Sequence, residues 1–145
     1  MDLPAKAICD LDYSLTGAIR DGFISENAPE VVAIKSRLAQ IAPANNITLN
    51  GVGLPKNNNQ CTAAKAFEIL AKDNIAKPEI LSLHNKLKAQ GIWLWTLGAI
   101  EAHIGLQSKD ESAWAKFKSD VNHSGLASTC PDHQSILDLV EWVRN

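Results

Sequence analysis

Apolar positions along the chain follow two different periods. Ala7-Ile8-Cys9 and Ile92-Trp93-Leu94-Trp95 are unbroken apolar runs, too short for helices, and both are predicted as buried strands. Elsewhere the spacing is helical. Val31, Ile34, Leu38 and Ile41 recur at intervals of three and four within residues 28–42, with Pro29 early and Pro43 just past the end. "CTAAKAFEILAKDNI" shows a similar distribution, with Thr62 as N-cap. "KPEILSLHNKLKAQG" carries the stripe Ile80, Leu83 and Leu87, opened by Pro78 and stopped by Gly91. Two more helices are predicted over 111–121 and 133–145, the second with Ile136, Leu139, Val140 and Val143 on one face and Asp132 as N-cap. The tract "NNITLNGVGLPKNNNQ" reads as a loop with room for one short strand, its asparagines solvated or touching phosphates.

This order predicts an α/β fold: a small parallel sheet flanked by helices. The helix that runs through Gly91 directly into Ile92-Thr96 is the second half of a βαβ unit, so the two strands should lie parallel in one sheet. Trp93 and Trp95 are expected in the core of a strand buried on both faces, and His84 at the surface or boundary of its helix.

The chain has 145 residues, the size of one domain, and 46% of them are hydrophobic, yet no apolar run approaches the length that crosses a bilayer. "MDLPAK" has neither a basic nor an apolar leader region, so the expected compartment is cytoplasmic, with Cys9, Cys61 and Cys130 reduced. A formal net charge of -2 with dispersed Lys and Arg excludes a dedicated basic nucleic-acid surface. His123, Cys130 and His133 lack the paired spacing and the fourth ligand of a zinc site.

Candidate chemistry gathers at the strand ends. In "AICDLDYSLTG", Asp10 and Asp12 stand where the first strand finishes, the edge of a parallel sheet at which ligands bind. Asp12 as a turn or capping residue and Asp10 as a solvated strand end are the structural alternatives. The later strand runs through "TLGAIEAHIGL", which puts Glu101 in the first turn of the following helix, where the helix dipole alone would also favour an acid. Asp10, Asp12 and Glu101 can converge from two strand ends. Three such carboxylates repel one another unless a cation joins them, and their hard oxygens suit Mg²⁺ or Mn²⁺. Ser14 and His103 lie near in sequence and are given no role.

Together "ICDLDY" and "GIWLWTLGAIEAHIGL" resemble the Toprim (topoisomerase-primase) domain that ends the overcoming-lysogenization-defect (OLD) family nucleases, and "ESAWAKF" and "ILDLVEWV" look like its C-terminal helices. The resemblance runs from Ala5 onward. It implies a partial Toprim-like, Rossmann-like domain over 1–145, with a metal-site core at 5–105 and C-terminal helices at 106–145. It also implies Mg²⁺- or Mn²⁺-dependent cleavage of DNA phosphodiesters by two-metal chemistry, in a phage-defence setting. Asp10, Asp12 and Glu101 would be the catalytic metal ligands, with Lys109, Lys116 or Lys118 near the scissile phosphate. A Toprim domain opens with a strand, a glutamate and a helix before its DxD strand, whereas only "MDLPAK" precedes Ala7; the family's ATPase loop, GxxxxGK[ST], does not occur here either. The chain is therefore expected to be a C-terminal portion, a split form, a degenerate remnant or an excised piece. Its expected partners are DNA, held weakly by the chain alone, and an upstream ATPase/Toprim segment or a protein carrying it. Homo-oligomers through an uncovered sheet edge are a further expectation; no membrane is.

"DLDYSLTG" also resembles the first motif of haloacid-dehalogenase-like phosphatases. That likeness would make Asp10 a phosphorylated nucleophile, Asp12 the general acid/base and Thr96 a phosphate contact. Such enzymes need a further acidic pair at a strand end, and the nearest one, Asp110-Glu111, follows a loop. A noncatalytic interaction module derived from either fold is the third reading.

Overall fold

The structure, a computed structural model, describes residues 5–145. The leader reading of Met1–Pro4 lies outside the described residues. Two compact units divide the chain, Met1–Gly98 and Ala99–Asn145.

The first unit is mixed α/β. Strand β1 (Ala7–Cys9) pairs in parallel with β4 (Ile92–Leu94), in the register Ala7 to Ile92, Ile8 to Trp93 and Cys9 to Leu94. Between them come a 3-10 helix (Leu11–Leu15), α1 (Gly17–Arg20) and α2 (Pro29–Ile41). A hairpin of β2 (Thr48–Leu49) and β3 (Pro55–Lys56) follows, then α3 (Ala63–Lys72) and α4 (Lys77–Lys88). The helical stripes do what their spacing requires. Val31, Ile34 and Leu38 of α2 meet Ile80, Leu83 and Leu87 of α4, and Leu11, Leu15, Leu70 and Leu94 complete the same buried cluster. Each such aliphatic side chain removed from water contributes about 2 kcal/mol. Thr62 caps α3 as predicted, its Oγ1 accepting from Lys65 N–H at 3.2 Å. Gly91, at φ +83°, provides the turn that lets α4 run into β4.

Three expectations change here. The predicted buried strand at Ala7-Ile8-Cys9 is a strand, but Ala7 and Ile8 are exposed, Ile8 at 51%, and only Cys9 packs against the core. The helices cover β4, whose three residues are all buried, and among the described residues β1 has β4 as its one neighbour. His84 is buried: its Nδ1 lies 2.9 Å from the Leu94 carbonyl and its ring meets Trp93 edge-on at 4.8 Å, so it ties α4 to β4. The asparagine tract is also more than a solvated loop. Asn58 Nδ2 donates to Asn46 O and Thr48 Oγ1, Asn58 Oδ1 accepts from Gln60 and Cys61 N–H, and Asn57 Oδ1 accepts from Ala63 N–H. These amides stand in for backbone partners that an irregular segment lacks.

The second unit is helical: α5 (Ile100–Ile104), α6 (Glu111–Ser124), α7 (Leu126–Thr129) and α8 (His133–Arg144). Asp110 caps α6, accepting from Ala113 N–H at 2.9 Å. Asp132 precedes α8 without capping it through its side chain, a correction to the sequence expectation. Its carboxylate is drawn instead to His103. Among the described residues, no helix is long and apolar enough to cross a membrane.

Candidate functional site

The β1 and β4 ends are fastened to each other beyond the strands themselves. Trp95 N–H donates to Cys9 O at 2.9 Å, and Leu11 N–H donates to Gly98 O at 2.8 Å. The residue between the two aspartates is thereby pinned to the turn that follows β4. Asp10 leaves β1 in an extended conformation and the chain tightens at once into the 3-10 helix, with Asp12 in its first turn. Both aspartates are exposed. Their charge is felt locally: burial pushes the Cys9 thiol up from its ordinary value, and Asp10 and then Asp12 push it further. Asp10 and Asp12 thus stand two residues apart where β1 ends.

Gly98 is essential to that arrangement. Its φ of +114° is a conformation other residues avoid, and a Cβ there would lie 3.3 Å from Glu68 Cγ. Glu68, on α3, pairs with Lys65 at 3.0 Å. A charged pair therefore stands beside the turn, one that helical periodicity alone does not reveal. Ser14 is fully buried and its Oγ donates to Leu11 O at 2.7 Å, so it serves the turn and does not face a ligand.

In the second unit, Glu101 occupies the first turn of α5, as predicted. Among the described residues, its buried Oε2 has no hydrogen-bond donor but pairs with Lys109, whose Nζ lies 3.5 Å away. This separates the three candidate lysines. Lys116 pairs with Asp120 at 2.5 Å, and Lys118 lies on α6 among Trp114 and Val121. His103, two residues on, is directed elsewhere. Its Nδ1 lies 2.5 Å from Asp132 Oδ2, which also accepts from Ser135 Oγ at 2.7 Å, while its carbonyl accepts from Cys130 Sγ–H and Asp132 N–H. Burial lowers the His103 pKa and outweighs the opposing pull of Asp132. This buried knot joins α5 to the start of α8, and sequence spacing gave no sign of it.

Asp10 and Asp12 belong to the first unit and Glu101 to the second. Among the described residues, no three His, Cys, Asp or Glu side chains are gathered so as to hold a metal ion. One arrangement nonetheless suits a cation, the exposed aspartate pair at a strand end. Asp110, the acid that a phosphatase would need, is engaged as a helix cap by Ser108, Ser112 and Ala113, which hold its carboxyl well below the usual range. Compared with models of known families, with curated proteins and with solved structures, the chain matches none.

Proposed function

We infer that this chain is a Toprim-like metal-binding domain of the OLD-nuclease type, acting on DNA phosphodiesters. Asp10 and Asp12 hold Mg²⁺ or Mn²⁺, and Glu101 is the further acid that the Toprim resemblance implies. The observation that carries this reading is the bond from Leu11 N–H to Gly98 O. It ties the backbone between the two aspartates to the turn that follows β4. It also uses up the amide between them. An aspartyl phosphate on Asp10 would need nearby donors for its oxygens, and Leu11 N–H, the amide next to Asp10 in sequence, is already committed to Gly98 O. The same bond therefore favours the metal reading over the phosphatase one.

When bound, the metal would supply an activated water and charge neutralisation at the scissile phosphate. The chain's own residues do the rest. Asp10 and Asp12 would orient the ion, while Lys109, 3.5 Å from Glu101, balances the charge of that glutamate. Two aspartates are few ligands for two ions, so the chain alone is expected to bind metal and cleave feebly. A further acid would come from a partner segment.

Two measurements test this. Mn²⁺ should raise the melting temperature of the wild type by a few degrees, because it binds only the folded site. Asp12→Asn should abolish most of that rise while leaving the metal-free protein no less stable, one repulsive charge having been removed. On supercoiled DNA with Mn²⁺, any nicking should vanish in the same variant. An equal metal shift in both proteins, or an aspartyl phosphate trapped at Asp10 with a fluoride-based phosphate mimic, would overturn the assignment.

A further inference from the structure

Among the described residues, the second unit's two long helices keep apolar side chains partly exposed to solvent. α6 packs on α7 and α8 on α5, yet neither α6 nor α8 has a single buried residue. On α6, Trp114, Phe117 and Val121 line one continuous groove together with Glu111 and Lys118. Trp114 and Phe117 meet edge-on at 6.2 Å, which shapes that face. On α8, Leu137, Val140 and Val143 are 49%, 41% and 50% exposed, with Glu141 and Arg144 beside them. Leaving two aliphatic and aromatic stripes in water is costly, and stripes of this kind mark surfaces that pair.

We propose that two copies of this chain pair through these stripes, α6 of each lying antiparallel on α8 of the other. The inference is independent of the metal reading. The two stripes match in length, about 10 Å each along the helix axis. With Phe117 opposite Val140 of the second copy, Trp114 faces Val143 and Val121 faces Ile136. The charges select the direction. Along α6 an acid precedes a base, Glu111 then Lys118, and along α8 the order is the same, Glu141 then Arg144. Only antiparallel packing brings Lys118 to Glu141 and Glu111 to Arg144, each within about 3 Å of exact opposition along the axis. Parallel packing would oppose like charges. The contact occurs twice about a two-fold axis, as a closed dimer requires.

Sedimentation equilibrium on the full chain, with a charge swap, decides it. The wild type should dimerise at micromolar concentrations. Lys118→Glu and Glu141→Lys should each weaken association at least about tenfold, and the double variant Lys118→Glu/Glu141→Lys should recover most of it, which a misfolded single variant could not do. A wild type that stays monomeric at about 100 µM would overturn the proposal. So would singles as tight as the wild type, a double variant no tighter than the singles, or cysteines placed at 117 and 140 that cross-link only within one chain.

Discussion

Gly98 shows how much of the site rests on one backbone conformation. Its carbonyl receives Leu11 N–H, its φ is +114°, and Glu68 closes the space a side chain would need. Gly22 is the control, at φ +79° with nothing near its missing Cβ. Replacing Gly22 by Ala should therefore cost only the left-handed backbone term, about 1 kcal/mol. Gly98→Ala should cost about 2–3 kcal/mol, since backbone strain and the displacement of Glu68 add. Urea unfolding of both variants checks this, and equal losses would mean that the Glu68 contact carries nothing. The sequence announces the two aspartates, because apolar runs that end in paired acids are uncommon. It does not announce what holds them. The hydrogen bond to Gly98, the turn bond from Ser14, the burial of His84 and the pull of His103 on Asp132 all join residues distant in sequence or hidden within ordinary helical patterns.

At the scale of elements, periodicity was enough wherever a helix had a partner. The stripes of α2 and α4 predicted which residues are buried, since each face packs on the other. The polar residues that lock these helices were less visible. Glu30 in the first turn of α2 accepts from Ser82 Oγ at 2.7 Å and from Lys86 Nζ at 2.6 Å, so its pKa falls to about 2. Asp73, after α3, takes a two-pronged bond from Arg37 at 2.9 and 2.8 Å and accepts from Ile75 and Ala76 N–H, and it too falls to about 2. Both carboxyls are depressed below their ordinary values of 4.5 and 3.8. Their contribution is therefore complete above about pH 5 and is lost as the pH falls toward 2. With solvent screening at the half-exposed Lys86, each contributes about 1 kcal/mol. Stability measured from pH 5 to 2.5 should fall accordingly. Asp73→Asn should be less stable than wild type at pH 6 but lose less on acidification. A wild-type acid slope preserved in that variant would place the titration elsewhere.

Across the whole molecule, buried apolar side chains are distributed unevenly between the two units. Among the described residues, the two hydrophobic clusters lie before Gly98, while the second unit buries Ile104, His103 and Cys130 at the junction of α5 with the segment before α8, and no residue of α6 or α8 is fully buried. Composition gives no warning of this, because α6 and α8 carry stripes that look like those of α2 and α4. A periodic stripe states that a face will be covered and not by what. Local opening costs least where few apolar contacts must break. Amide exchange on the full chain should therefore be slowest in α2, α4 and β4 and much faster in α6 and α8 at submicromolar concentration. Raising the concentration should slow exchange in α6 and α8 several-fold as the stripes become covered, without altering α2 or α4. If α6 and α8 were as protected as α2 and α4 in dilute solution, the second unit would have a core of its own, and the open faces would need another explanation.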